Sequence, residues 1–113
     1  MRARILHNPR CSKSRAALAL LRAAGIEPEI VPYLETPPSR ADLRHLLRRA
    51  GLAPRDVVRA KDARALGLDL SALSDEEILD LLVREPRLLE RPLVETEKGV
   101  VLARPPERVR EVL

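Results

Sequence analysis

The sequence predicts one α/β domain spanning residues 1–113, and three observations indicate it. The first is a strand–helix–strand order in residues 3–32, the pattern of a βαβ unit with parallel strands. The second is a block of helical patterns at about residues 39–85. The third is a β-hairpin signal that is followed by a short C-terminal helix. A chain of 113 residues has room for one compact domain but not for two of ordinary size.

The N-terminal elements follow from short apolar runs and the turn signals between them. Residues 3–7 (ARILH) predict the first strand, which ends at the Asn8-Pro9 turn signal. A helix is predicted at about residues 12–24, because its leucines and alanines recur at helical spacing up to a glycine. Residues 27–32 predict the second strand.

Capping and turn signals predict the helices and strands in the middle and at the end of the chain. Ser39 with Asp42 resembles a capping box, and Ser74 with Glu77 makes a clean one. Residues 54–60 predict a short helix between the two capped helices. Two further strands, LVET and VVLAR, flank the turn residues Glu97-Lys98-Gly99, and residues 105–113 predict the last helix.

Composition narrows the classes of function. The single cysteine excludes an internal disulfide and a multi-cysteine zinc site, and two distant histidines give no basis for a metal centre. No apolar run approaches the ~18 residues of a membrane span, and no secretory signal is evident, so we expect a cytoplasmic protein. The net charge of +4 favours anionic ligands. With one tyrosine and no Trp or Phe, base stacking has almost no support, so nucleic acid is not expected.

The stretch HNPRCSKSR, residues 7–15, contains the candidate nucleophile, Cys11. A thiol reacts as the thiolate, and its pKa falls at a helix N-terminus beside cationic groups. Cys11 follows a turn and precedes a helix, with Arg15 among the nearby cations. Cysteine at this position can also be a small, inert, buried residue. The strand-to-helix junction at the carboxyl end of a parallel strand favours the reactive interpretation.

Two neighbours could support the thiolate. Ser14, three residues on, can point its hydroxyl back at the sulfur. His7, the last residue of the first predicted strand, could set the ionisation of the thiol or orient the loop, and a purely structural histidine fits its position equally well.

Three further arginines stand out among 18 because of their context. Arg59 ends the short central helix, Arg91 precedes Pro92 before a strand, and Arg104 ends the last strand, before a Pro-Pro pair. A loop arginine beside rigid prolines loses little entropy when it holds a planar, bidentate oxyanion.

Four motifs together resemble the ArsC family of arsenate reductases. HNPRCSKSR resembles the family's His-Asn-Pro-x-Cys-x-x-Ser-Arg signature, and YLETPPSR (33–40) its Tyr-Leu-x-Thr-Pro-Pro segment. LLERPLV (88–94) resembles the Arg-Pro segment before the hairpin, and LARPPE (102–107) the closing Arg-Pro motif. The similarity extends from about residue 4 to the last residue.

The resemblance implies a thioredoxin-like (glutaredoxin-like) mixed β-sheet flanked by helices, with a helical insertion at about residues 39–85. It implies that Cys11 attacks the arsenic of arsenate and expels an oxygen as water. Glutathione would then attack the thiolate–arsenic adduct, and a glutaredoxin-like donor would restore the thiol as arsenite leaves. No cofactor would be bound, since the external thiol is a co-substrate. By motif position the oxyanion would be held by Arg59, Arg91 and Arg104, with Arg15 as a further anion-binding residue. His7 and Ser14 would support the thiolate, and Pro92 would be the cis-proline beside it.

Two alternatives stay open at this stage. The Spx-type regulators of the same superfamily bind RNA polymerase and carry a Cys-x-x-Cys switch, whereas here Ser14 stands in the place of the second cysteine. A regulator of that kind would act without an intramolecular disulfide. The other alternative is a glutaredoxin-like monothiol protein that acts on other substrates.

Overall fold

The chain forms one four-stranded mixed sheet, which includes the C-terminal hairpin. In the computed structural model, which describes all 113 residues, the strands are β1 (Ala3–Leu6), β2 (Glu29–Val31), β3 (Leu93–Thr96) and β4 (Gly99–Leu102). Their order in the sheet is β2-β1-β3-β4. β1 is parallel to β2 and antiparallel to β3, and β3 and β4 form the predicted hairpin. The strand–helix–strand prediction is thus confirmed.

The helix α1 (Ser12–Ala23) connects the two parallel strands and covers the sheet. Its buried side chains pack with the sheet and with a C-terminal 3₁₀ helix, Pro106–Val112, in one apolar cluster of Ile5, Ala17, Leu18, Leu21, Val94, Val101, Ala103, Val109 and Val112. Gly25 follows α1 with φ = 79°, a left-handed conformation that glycine adopts without strain. The predicted glycine stop is therefore confirmed.

The chain divides into two compact units, residues 1–36 with 91–113, and residues 37–90. We call the first the sheet unit and the second the helical unit. The helical unit contains α2 (Arg40–Ala50), α3 (Ala60–Ala65) and α4 (Asp75–Arg84), with 3₁₀ turns at Pro54–Val57, Leu70–Ala72 and Pro86–Leu88. The predicted block at about 39–85 corresponds to this unit. The interpretation of residues 1–113 as one domain stays a prediction.

Capping sets the ends of the helices in the helical unit. Ser74 Oγ accepts the Glu77 N–H at 3.1 Å while Glu77 Oε1 accepts the Ser74 N–H at 3.0 Å, a full capping box. Ser39 Oγ accepts the Asp42 N–H at 3.1 Å. α2 and α4 are joined by ion pairs from Arg40 to Glu76 and Asp80. None of the helices is both long and apolar enough to span a bilayer.

Two helix predictions differ from the structure. Residues 54–60 form no continuous helix, because the 3₁₀ turn ends at Val57 and Val58 pairs in an isolated bridge with Leu89. Arg59 therefore does not end a helix; it is the extended residue that caps α3. The last segment is a 3₁₀ helix rather than an α-helix, and it begins at Pro106. The last strand, β4, ends at Leu102, so Arg104 lies beyond the strand and does not end it.

Candidate active site

Cys11 sits in the loop between β1 and α1, at the N-cap position of the helix. Its backbone is extended (φ −94°, ψ 119°), its N–H donates to the Asn8 carbonyl at 3.0 Å, and its carbonyl accepts the Arg15 N–H at 3.0 Å. The thiol is free and the residue is partly exposed. The loop thus closes in a tight turn that directs the cysteine to the first turn of α1, where backbone N–H groups have no partner in the helix.

The surroundings of Cys11 lower the pKa of its thiol below the ordinary value. Burial acts in the opposite direction and raises it, as the largest single effect. Hydrogen bonds from the backbone N–H groups of Ser14 and Lys13, together with the charge and a side-chain hydrogen bond of Arg91, lower the pKa by more in total. The thiolate is therefore favoured by the helix N-terminus and one arginine, which is the environment of a reactive cysteine.

Arg91 lies beside this thiol, and Arg104 contacts Arg91. Arg104 Nη1 donates to the Arg91 carbonyl at 3.0 Å, and both residues are half-buried. The Arg91 Nε–H is buried and finds no acceptor within the protein. An unsatisfied buried donor costs ~1–3 kcal/mol, which an oxyanion bound there would recover. The Arg91–Pro92 peptide bond is cis, as the resemblance implied for Pro92, and the Arg104–Pro105 bond is cis as well.

Ser14 does not point its hydroxyl at the sulfur, contrary to one of our expectations. The hydroxyl oxygen lies 2.6 Å from His7 Nδ1 and accepts the Asn8 N–H at 3.1 Å, and it is fully buried. Only the backbone N–H of Ser14 reaches Cys11. The hydroxyl is already hydrogen-bonded in this way because His7 Nδ1 and the Asn8 N–H lie buried between β1 and α1. Buried polar groups need a hydrogen-bond partner within the protein.

His7 acts on the loop rather than on the sulfur. Burial, and then the charges of Arg22 and Arg15, lower the pKa of His7 below 6.5, so the imidazole is neutral near pH 7. It is not among the groups that shift the pKa of Cys11. Of the functional roles that the sequence suggested for His7, the hydrogen bond to Ser14 favours orienting the loop over setting the ionisation of the thiol.

Arg15 also holds the loop. Its Nη1 donates to the Pro9 carbonyl at 2.8 Å, on an exposed side of the turn. The sequence interpretation placed Arg15 among the anion-binding residues. In the structure one of its donors ties the first turn of α1 to the residues before Cys11, and its part in anion binding stays a prediction.

Arg59 lies in the helical unit, where two carboxylates engage it. Arg59 Nη1 is 3.0 Å from Asp62 Oδ2, and Arg59 Nε is 3.9 Å from Glu90 Oε1. Its N–H donates to the Leu88 carbonyl at 2.7 Å, which fixes the backbone next to the Val58–Leu89 bridge. Its part in anion binding stays a prediction that rests on the motif match.

Asn8 is a residue that the sequence interpretation did not assign to the site. Its side chain is buried, and Oδ1 accepts the Arg10 N–H at 3.0 Å. With its backbone bonds to Ser14 Oγ and to Cys11, it fixes the loop at three points. The Asn-Pro pair was read only as a turn signal, although asparagine before a tight turn commonly bonds the backbone two residues on.

The chain contains no cluster of side chains that could bind a metal ion. Nowhere do three His, Cys, Asp or Glu side chains come together as a metal would need. The chemistry that this arrangement can perform is nucleophilic attack by a thiolate on an anion held by guanidinium groups.

Known proteins resemble this chain along almost its whole length. The sequence model of the ArsC family matches residues 6–112. An arsenate reductase of Rhizobium meliloti (strain 1021) is 46% identical over 111 residues, which cover 96% of this chain and 79% of that protein. The uncharacterized protein YfgD of Escherichia coli K12 is 45% identical over 113 residues, 97% of this chain and 95% of YfgD. The solved arsenate reductase from Vibrio cholerae has a TM-score of 0.90 at 42% identity, covering 100% of this chain and 98% of that one. The thioredoxin-like fold is thereby confirmed.

Proposed function

Because this chain belongs to the ArsC family, we propose that it is an arsenate reductase, an oxidoreductase in which Cys11 is the nucleophile. The observation that carries the proposal is the lowered pKa of the Cys11 thiol beside Arg91, whose buried Nε–H has no acceptor in the protein. A thiolate next to an unused anion donor suits attack on a bound oxyanion.

The first step forms a sulfur–arsenic bond. The Cys11 thiolate attacks arsenic, one arsenate oxygen takes up a proton and leaves as water, and arsenic stays at +5 in the adduct. Arg91 and Arg104 hold the remaining oxygens, since guanidinium groups bind planar arrays of oxygen in pairs. By motif position alone, Arg59 is proposed as a third anion ligand.

The reduction needs two external thiol equivalents, because the chain has one cysteine and cannot form an internal disulfide. One thiol attacks the Cys11 sulfur of the adduct, and the sulfur–arsenic bond breaks with its electron pair on arsenic, which leaves as arsenite. The second thiol attacks the resulting mixed disulfide, which forms the disulfide of the two donors and releases the Cys11 thiolate. Overall, H₃AsO₄ and two RSH give H₃AsO₃, RSSR and water, with Cys11 regenerated. We propose glutathione with a glutaredoxin-like protein as the donors, and a cytoplasmic location, where such thiols stay reduced.

Arsenite formation tests the proposal directly. Wild-type protein is incubated with arsenate and glutathione, with and without glutaredoxin, and with thioredoxin as a separate donor. We expect turnover that Cys11→Ser abolishes and that Arg110→Gln, a change at an exposed arginine outside the site, leaves intact.

Turnover by Cys11→Ser, or no turnover by the wild type with any donor, would contradict the proposal. In the second case, co-purification with RNA polymerase would support the Spx-like alternative instead.

A further inference from the structure

A groove in the sheet unit borders the loop that carries Cys11. Its volume is about 420 Å³, within the ~300–1,000 Å³ of small-molecule sites. One wall is the loop from His7 to Arg10, which ends one residue before the nucleophile. The opposite wall is the segment after β2, and its lining residues are Pro32, Leu34 and Glu35.

Both walls are held in place by hydrogen bonds within the protein. On the loop side, Asn8 binds Arg10 and Ser14 as described above. On the other side, the N–H groups of Glu35 and Thr36 both donate to the Pro32 carbonyl at 2.9 Å. The groove is therefore preformed, and a ligand need not order either wall on binding.

Two charged side chains of opposite sign line the groove without a partner. Neither the Arg10 guanidinium nor the Glu35 carboxylate forms an ion pair or a side-chain hydrogen bond within the protein. Elsewhere in the chain, arginine–carboxylate pairs are common, as between Arg22 and Glu27 at 2.8 Å. The groove thus presents one free cation and one free anion on facing walls.

Besides these charges and the polar residues His7 and Asn8, the groove has an apolar part. Leu34, which is 43% exposed, lines it together with the exposed Pro9 and Pro32. An extended ligand could therefore lay methylene groups along the groove while its charged ends reach the two walls.

We propose that this groove binds the reducing co-substrate, a low-molecular-weight thiol that carries both a carboxylate and an ammonium group. The carboxylate pairs with Arg10 and the ammonium with Glu35, which directs the sulfur toward the neighbouring Cys11. The proposal rests on the proposed function, because that reaction requires an external thiol. A peptide thiol such as glutathione has this chemistry.

Steady-state kinetics with glutathione provide the first test. We expect Arg10→Gln and Glu35→Gln each to raise the KM for glutathione about tenfold, the usual effect of losing one charge-assisted hydrogen bond. The KM for arsenate should stay at its wild-type value. The matched controls are Arg110→Gln and Glu107→Gln, which neutralise exposed charges outside the groove. Unchanged KM values for glutathione in an active enzyme would overturn the groove proposal and leave the reductase function standing.

Binding of S-methylglutathione, which cannot react, provides a test that needs no turnover. We expect amide NMR shifts at residues 8–10 and 34–35 that saturate in the wild type and weaken in both groove variants. Shifts elsewhere, or no saturable shifts, would overturn the proposal even if the protein reduces no arsenate. A rise in KM only for a dithiol protein donor would overturn it too, because the groove would then be a protein-docking surface.

Discussion

Ser14 Oγ lies 2.6 Å from His7 Nδ1, and both residues are buried between β1 and the first turn of α1. The same oxygen accepts the Asn8 N–H. One hydroxyl therefore serves two polar groups of the loop before Cys11. This makes Ser14 a positioning residue, and its loss should lower the stability of the loop.

Replacing Ser14 by alanine should destabilise the protein. The change leaves the His7 nitrogen and the Asn8 N–H buried without their partner, which costs ~1–3 kcal/mol of unfolding free energy. Urea unfolding measures the loss, and Ser12→Ala, at an exposed position of the same helix, is the control. The pKa of Cys11 should shift little, because only the backbone N–H of Ser14 reaches the sulfur. A large pKa shift without loss of stability would contradict this assignment.

Arg91 and Arg104 should differ in their effects on the thiol. Arg91→Ala removes a charge and a hydrogen bond from Cys11, so the pKa of the thiol should rise, as alkylation rates against pH would report. Arg104→Ala should leave that pKa close to the wild-type value. Both changes should lower kcat/KM for arsenate by about 10- to 100-fold, as expected when a charged hydrogen-bond donor is lost.

Arg110→Ala, at an exposed site, is the control for general loss of positive charge. If it lowers kcat/KM as much as the other two changes do, the net charge rather than a defined site attracts the anion.

Asn8→Ala should loosen the loop and slow alkylation of Cys11 at a fixed pH near neutrality. The change removes the Oδ1 acceptor of the Arg10 N–H, a bond worth about 1 kcal/mol. Asn8→Ser keeps a side-chain oxygen that can accept the same N–H, so it should restore part of the rate. Equal rates in all three proteins would remove Asn8 from the set of positioning residues.

The stability of the protein should fall in mild acid because of His7. Burial and the charges of Arg22 and Arg15 lower its pKa, so the unfolded chain takes up this proton at a higher pH than the folded protein does. Stability is unaffected by His7 above its unfolded pKa of about 6.5 and decreases as the pH falls below it. His7→Asn should reduce this pH dependence. Identical pH profiles of the unfolding free energy for His7→Asn and the wild type would refute the prediction.

Local sequence signals predicted the elements whose causes are local. Gly25 ends α1 by its left-handed backbone, and the Ser74–Glu77 box starts α4. The break after Val57 was missed because its cause, the bridge between Val58 and Leu89, joins residues that are far apart in sequence.

In the candidate site too, only the features with a local cause were predictable from the sequence. The position of Cys11 at a helix N-terminus follows from a turn signal next to a helical pattern. The direction of the Ser14 hydroxyl does not, because a serine in the first turn can bond either the sulfur or the preceding loop. The choice was decided by His7, whose buried imidazole needs a partner on that side of the loop.

The partly exposed, solitary Cys11 should also make the protein sensitive to peroxide. A thiolate of lowered pKa is readily oxidised to sulfenic acid, and a second cysteine nearby would normally trap that state as a disulfide. Here Ser14 occupies the position from which such a thiol could act, and its hydroxyl is bound to His7. Without an external thiol, oxidation can continue to the sulfinic acid. Low-molecular-weight thiols do not reduce a sulfinic acid. The sulfur that we propose as the nucleophile is therefore also the point at which hyperoxidation would inactivate the molecule.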